Sequence, residues 1–303
     1  MGFAAESAAM NPLLELRVVD CDDAAWHGAY CDYVAQVFRQ ADFRRWCEWR
    51  QWGEDYRAFC IVGDDGRVLA NASVSRMRLL VEGRELVGYQ LGAVGCLPQA
   101  RGQGLARRAM QAALAYCGQA PVFLFANDSV LDFYPRFGFA PAPQTLFEAE
   151  LQAEPAGEGR IVRAAAVDLA DGEIREAFLR SAAAASPVSA RFAARDYGRI
   201  ATWYAANGYA SPAHRFDDDT WVFAEVENGV LTIEDVFATR PLDLSAALPH
   251  LIAQPVHTVR FGFTPERLWP QARAVAAEAD ADLFVRNLVL PAGPHRFPLL
   301  ART

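Results

Sequence analysis

Residues Val94 to Ala109 read VGCLPQARGQGLARRA, and the organisation of the whole chain follows from them. An apolar run, LVGYQLGAV, leads in and stops at Pro98. A short loop then holds Arg101, Gly102 and Gly104, and a helical pattern starts at Leu105 and runs to about Tyr116. The order is strand, turn, helix. Two glycines let the backbone bend tightly and remove the side chains that would keep a ligand from the amides. A helix N-terminus there offers unpaired N–H groups and the positive end of the macrodipole, which suits an anion such as pyrophosphate. Taken alone, the same turn also serves as a plain strand-to-helix connection. No Lys-Ser or Lys-Thr pair follows the glycines, so it is not a Walker loop, and Gly102, Gly104 and Arg107 do not complete a dinucleotide fingerprint.

Downstream come an apolar strand, PVFLFAN, ending at Asn127, a short helix, and FYPRFGF from Phe133 to Phe139. Together with the loop these resemble the GNAT acyltransferase superfamily. Its acyl-CoA loop, Arg/Gln-x-x-Gly-x-Gly/Ala, is matched by Arg101, Gly104 and Ala106, and its FYxxxGF signature by the second stretch, with Tyr134 in the tyrosine position. The resemblance covers about Leu13 to Glu150. It implies acetyl-CoA as the acyl donor, held by backbone around Val94, Cys96 and Leu97 and by the loop Arg101, Gly102, Gln103, Gly104, Leu105 and Ala106. Asn127 is a further contact to CoA, or equally an N-cap of the short helix. Cys96 is then a strand residue and a buried thiol rather than a nucleophile, since nothing basic beside it in sequence would lower its pKa.

Acyl transfer from a thioester to an amine needs a neutral amine near the thioester carbon, a donor for the developing oxyanion and a proton for the departing thiolate. The resemblance assigns the proton to Tyr134, and a phenol with a reference pKa of about 10 suits an alkyl thiolate. The general base is open. Many family members use a strand carboxylate, but the central strand here offers Gln90, and Glu85 and Asp128 read as solvated acids. Some members with extra C-terminal regions use the terminal carboxylate instead, for which the apolar tail RFPLLART would have to be drawn inward.

With 303 residues the chain suits two units of about 150 residues, each able to bury a core. The resemblance places an acyl-CoA-binding catalytic domain at 1–151. QAEPAGEGR, Gln152 to Arg160, is polar and rich in Gly and Pro and marks the boundary to a second unit at 160–303. There Asp171 to Ala183 and Ala190 to Asn207 read as helices, followed by a hairpin around Asn228-Gly229. A helix at Leu244 to Ile252, a strand at HTVRFGF, a helix near Leu268 to Glu278 and a strand at ADLFVRNLVL complete it. This is the element order of a second, degenerate GNAT-like unit, and ATRPLDL, where its CoA loop would fall, has no glycine to make a cradle. The fold class expected is α/β with mixed sheets.

No segment approaches the roughly 20 unbroken apolar residues of a membrane span, and MGFAAESAAMNP has no basic n-region, so a cytoplasmic protein is expected. All 29 basic residues are arginine, which points to a GC-rich, bacterial genome. The six cysteines lack CxxC spacing and the five histidines lack ligand spacing, so no metal is expected. A net charge of −8 argues against a nucleic-acid partner and leaves room for an amine acceptor. Phe43, Trp46 and Trp49, with Trp52, form an aromatic stripe that packs the core or borders an acceptor pocket. The function expected is N-acetyl transfer from acetyl-CoA to a primary amine of a small molecule or peptide, in a chain that could dimerise. The alternative is an inactive CoA-binding or ligand-sensing protein.

Overall fold

The computed structural model describes residues 14–39, 41–126, 130–156, 164–277 and 282–303; Asn127, Asp128 and the end of the linker lie outside them. The chain begins with β1 (Glu15–Val19), two helices, α1 (Ala24–Val37) and α2 (Arg44–Glu48), and three long strands, β2 (Tyr56–Val62), β3 (Val68–Val81) and β4 (Arg84–Cys96). β1 to β4 pair as an antiparallel meander. Next, α3 (Leu105–Cys117) buries Leu105, Ala109, Met110, Ala113 and Cys117, a stripe at helical spacing, against β2 and β3. It ends at Gly118, whose φ of 60° breaks the helix, and the crossover lets β5 (Val122–Ala126) pair parallel to β4.

A short strand, β6 (Ala140–Ala142), and β7 (Thr145–Ala153) follow, then the second half: β8 (Ala165–Val167), α4 (Gly172–Ala184), β9 (Phe192–Arg195) and α5 (Gly198–Asn207). After them come β10 (Ala213–Asp217), β11 (Thr220–Glu227), β12 (Val230–Ala238), α6 (Leu244–Leu251), β13 (Val256–Phe261), β14 (Arg273–Ala277) and β15 (Asp282–Arg286). Asn228 and Gly229 turn the β11–β12 hairpin at φ of 51° and 76°, the left-handed pair such a two-residue turn demands.

Among the described residues the strands form two mixed sheets, so the fold is mixed α/β as expected. One runs β1-β2-β3-β4-β5-β15-β6, with β9 also on β3, and the other β8-β10-β11-β12-β13-β7-β14. The two orders match: a four-stranded antiparallel meander, one parallel pair (β4 with β5, β12 with β13), and then an antiparallel strand. That last strand is exchanged. β7, from the first half, pairs with β13, and β15, from the second half, pairs with β5. A division of the chain at 151–160 therefore leaves each half holding a strand of the other's sheet.

Of two stretches read as helix, one is helical only in its second half and the other is not helical. Ala190 to Asn207 splits into β9 and α5, because Phe192, Ala193 and Ala194 are buried in succession and pair with Val81 to Leu79 of β3. The chain turns between them at Asp196, φ 54°. Leu268 to Ala277 forms a turn and then the exposed edge strand β14 on β7. Pro270 denies a helix its backbone donor there, and pairing with β7 overrides the helical preference of the alanines.

Candidate active site

The cleft forms where β4 and β5 part. Their register pairs Tyr89 with Val122, Gln90 with Phe123 and Leu91 with Leu124, and ends there. Just beyond, Ala93 stands at φ 48° where the β3–β4 register slips between Asn71 and Ser73, a β-bulge that bends β4. The fully buried Asn71 fixes it, its amide nitrogen donating to the Ala93 carbonyl at 3.0 Å and to the Ser73 hydroxyl at 2.8 Å. Between the separated strands opens a cleft of about 340 Å³, lined by Leu91 to Val94 of β4, Phe125 of β5, and Tyr134.

At the end of β4, Pro98–Ala100 makes one 3-10 turn and the glycine loop follows. Gly102 and Gly104 lie at φ of 79° and 74°, and a Cβ at either would meet nothing within 4 Å. What requires glycine is the left-handed backbone, not crowding. No side chain caps α3, so its first amides face the exposed loop Arg101–Gly104. The open end of a helix, glycine at both turns and an adjacent arginine fit a pyrophosphate. Cys96 is half-buried and its thiol is raised by burial, against the pull of Arg101, so it is no activated nucleophile.

Tyr134 begins a 3-10 turn, Tyr134–Phe137, rather than an α-helix, closed by Gly138 at φ 81°. Its ring packs against Phe133, Phe139 and Phe284 of the exchanged strand β15. Burial pushes its phenol up to about 12, so it carries a proton throughout the neutral range.

The wall opposite β5 comes from α1 and α2 and from the second half. Of the aromatic stripe, Phe43 and Trp46 line the cleft, and both also pack against α5: Phe43 on Trp203, and Trp46 through its indole N–H to the Arg199 carbonyl at 2.8 Å. Trp49 instead lies under Arg175 of α4, and Trp52 is a core residue stacked on His27. The stripe is thus both packing and pocket wall. Arg195, Asp196, Tyr197, Arg199 and Trp203, all from the second half, line the same cleft. Sequence reasoning could not place these five, because no local pattern says which distant loop meets a pocket.

The tail reaches the cleft as well. From β15 it crosses the gap between the sheets, where the Phe297 amide donates to Gln144 Oε1 at 2.7 Å, Arg296 N to Thr264 Oγ1 at 2.7 Å and Leu299 N to the Gly262 carbonyl at 2.9 Å. Phe297, Leu300 and Ala301 are fully buried. Beneath them lies the buried Asp235, which accepts from the Tyr197 hydroxyl and the Val236 amide, each at 2.9 Å. Thr303 ends in the cleft, its amide donating to Gln90 Oε1 at 2.8 Å. Glu85 does not itself line the cleft; near the opposite end of β4 it pairs at 2.5 Å with Arg195, which does.

Residues 21–142 match the family model of the acetyltransferase (GNAT) domain, so the first half of the chain carries a domain of that family. Solved structures extend the likeness to both halves. A GCN5-related N-acetyltransferase from Kribbella flavida is 18% identical, with a TM-score of 0.55 over 90% of this chain and 71% of that one. Eis1 from Mycobacterium abscessus is 13% identical, TM-score 0.55, over 89% and 73%. A GCN5-related N-acetyltransferase from Anabaena variabilis is 14% identical, TM-score 0.54, over 90% and 72%. At these identities the likeness is one of fold. No curated protein matches the chain.

Proposed function

We propose that the chain is an acyl-CoA-dependent N-acyltransferase that moves acetyl from acetyl-CoA to a primary amine of a small molecule or peptide by direct attack. The observation that carries this reading is the convergence on one cleft of an open strand edge, a buried protonated tyrosine and the tail residue Thr303. The bulged edge of β4, Val94 to Leu97, receives the thioester arm, and the loop Arg101 to Ala106 takes the pyrophosphate. Tyr134 donates its proton to the thiolate as it leaves. Direct attack also needs a base for the amine's proton, a role Gln90 has no chemistry for. Asn127 belongs to the same reading as a contact to CoA. The alternative is a CoA-binding or ligand-sensing protein without turnover.

The test is thiol release from acetyl-CoA with a panel of amines, for wild type and Tyr134→Phe. Loss of the proton donor lowers kcat by about 10²-fold or more with the acetyl-CoA KM unchanged. An undiminished kcat in the variant removes Tyr134 from the mechanism, and no thiol release with any amine returns the chain to the sensor class.

A further inference from the structure

Cys31 and Cys47 are separated by 16 positions and share no motif, yet the fold brings them together. Cys31 lies in α1 and is buried, Cys47 lies in α2 and is half-buried, and their sulfurs stand 3.9 Å apart. Cys21, Cys60, Cys96 and Cys117 form no such pair among the described residues. A disulfide bond is about 2 Å long, so these two sulfurs need to approach by about 2 Å. Side-chain rotation and a small shift of a short helix cover that distance.

The helix that can shift is α2. It has five residues and no side-chain cap, too little to be stable by itself, so its place depends on what flanks it. On one side it is tied to α5, through Phe43 on Trp203, through the Trp46 indole N–H, and through two bonds to Asn207. There the Asp42 amide donates to Asn207 Oδ1 at 2.7 Å, and Asn207 Nδ2 donates to the Asp42 carbonyl at 3.1 Å. Toward α1 it has the ring of Phe43 against Tyr30, an exposed ion pair of Arg44 with Asp32, and the two thiols. The thiols differ. The Cys31 thiol, donating to Cys47 Sγ, holds Cys47 below the usual thiol range against burial, Asp42 and Glu48, while the same bond and burial raise Cys31 against the pull of Arg44.

We propose that Cys31 and Cys47 are a dithiol that closes reversibly to an intramolecular disulfide, stapling α2, and with it Phe43 and Trp46 of the cleft wall, to α1. The co-reactant is a low-molecular-weight disulfide. Cys47, more accessible and more acidic, attacks as the thiolate: its Sγ bonds to one sulfur of the reagent, the reagent's S–S bond breaks, and one thiolate leaves and takes up a proton. Cys31 then gives up its proton, attacks the Cys47 sulfur and expels the second thiolate. The two cysteines lose two electrons, and the reagent is reduced to two thiols. A reducing dithiol runs the steps backward.

The experiment treats the full chain with glutathione disulfide under native conditions. It reads two quantities: the cysteine pairing, by acid quench, alkylation and peptide mass, and amide hydrogen exchange across residues 44–49. Neither needs acetyl-CoA or turnover, so the result stands whatever reaction the chain catalyses. In wild type the Cys31–Cys47 cross-link forms ahead of any other, dithiothreitol reverses it, and exchange across 44–49 slows about tenfold in the oxidised protein. Cys31→Ala stops with glutathione on Cys47, and Cys47→Ser leaves Cys31 unmodified. Wild type that stays unmodified, keeps glutathione on Cys47 without the cross-link, or joins either residue to another cysteine overturns the pair. A cross-link that leaves exchange across 44–49 unchanged overturns the staple.

Discussion

Substitutions at Gly104 separate the proposed anion cradle from the fold around it. It precedes α3 at φ 74° with open space where a Cβ would stand, so alanine meets no clash and bears only the left-handed conformation, about 1–2 kcal/mol. Exchanged strands tie the two sheets into one cooperative unit. At about 2.1 cal/mol/K per residue, 303 residues give an unfolding entropy of roughly 0.6 kcal/mol/K. The strain then lowers Tm by about 2–3 °C. Acetyl-CoA at about 100 times Kd adds roughly 2.7 kcal/mol, which raises Tm by about 4 °C. Gly104→Ala should show the lower baseline and keep most of the ligand shift. Gly104→Glu carries similar strain but sets a carboxylate at the α3 N-terminus, where it competes with the pyrophosphate and repels it. It should lose the shift. Differential scanning calorimetry of the three proteins, with and without acetyl-CoA, reads both effects. A glutamate variant with the full wild-type shift refutes the placing of the anion at this helix end.

Two further predictions rest on buried titratable groups. Tyr134→Phe should lower kcat by about 10²-fold or more with little change in acetyl-CoA affinity, and because burial holds the phenol at about 12, wild type should show no alkaline loss of kcat from this group below pH 10. Stopped-assay pH profiles check both statements. Asp235 is pushed up to about 8 by burial, against the Tyr197 hydroxyl, the Val236 amide and the Leu300 amide, which favour its ionised form. Its folded pKa exceeds the unfolded one, so its contribution is fully present below about pH 4 and is lost as pH rises through about 8. Relative to Asp235→Asn, wild type should therefore lose Tm steadily across that window and level off above it; a constant difference between the two melting curves would refute the shift.

The loop and the tyrosine stretch were legible because their information is local. Gly102 and Gly104 encode positive φ, an uncapped helix start follows at once, and FYPRFGF closes on a glycine at φ 81°. The meander and the hairpin at Asn228-Gly229 were legible for the same reason. What the sequence withheld is non-local. Arg273–Ala277 has helical alanines, and only the neighbouring edge of β7 makes it a strand. The exchange of β7 and β15 leaves no trace in either strand, since the partner of each is chosen by topology and not by its own residues. Gln90 read as a missing carboxylate because its two partners in the tail sit more than 200 residues away, separations of 211 and 213.

The exchange and the tail belong together. Were β15 in its own half's sheet, the tail that follows it would start on the second sheet and not on the one that holds β4. Placed beside β5, β15 starts the tail on the first sheet, packs Phe284 on Tyr134 and leaves residues 287–303 to fold back over Gln144, Thr264 and Asp235 into the cleft. The second unit has meanwhile closed the helix end that would match the cradle. At α6, Asp243 stands as N-cap, its carboxylate accepting from the Ser245 hydroxyl at 2.6 Å and from the Ser245 and Ala246 amides at 3.1 and 3.2 Å, and these hydrogen bonds, the hydroxyl's first, hold its pKa below the usual carboxylate range. An anion arriving there meets a resident one. In the first half a glycine occupies the equivalent place and leaves the amides open. The first sheet thus leaves its helix end open, while the second fills its own and, through Asp235 and Gly262, holds the tail on its way to the cleft.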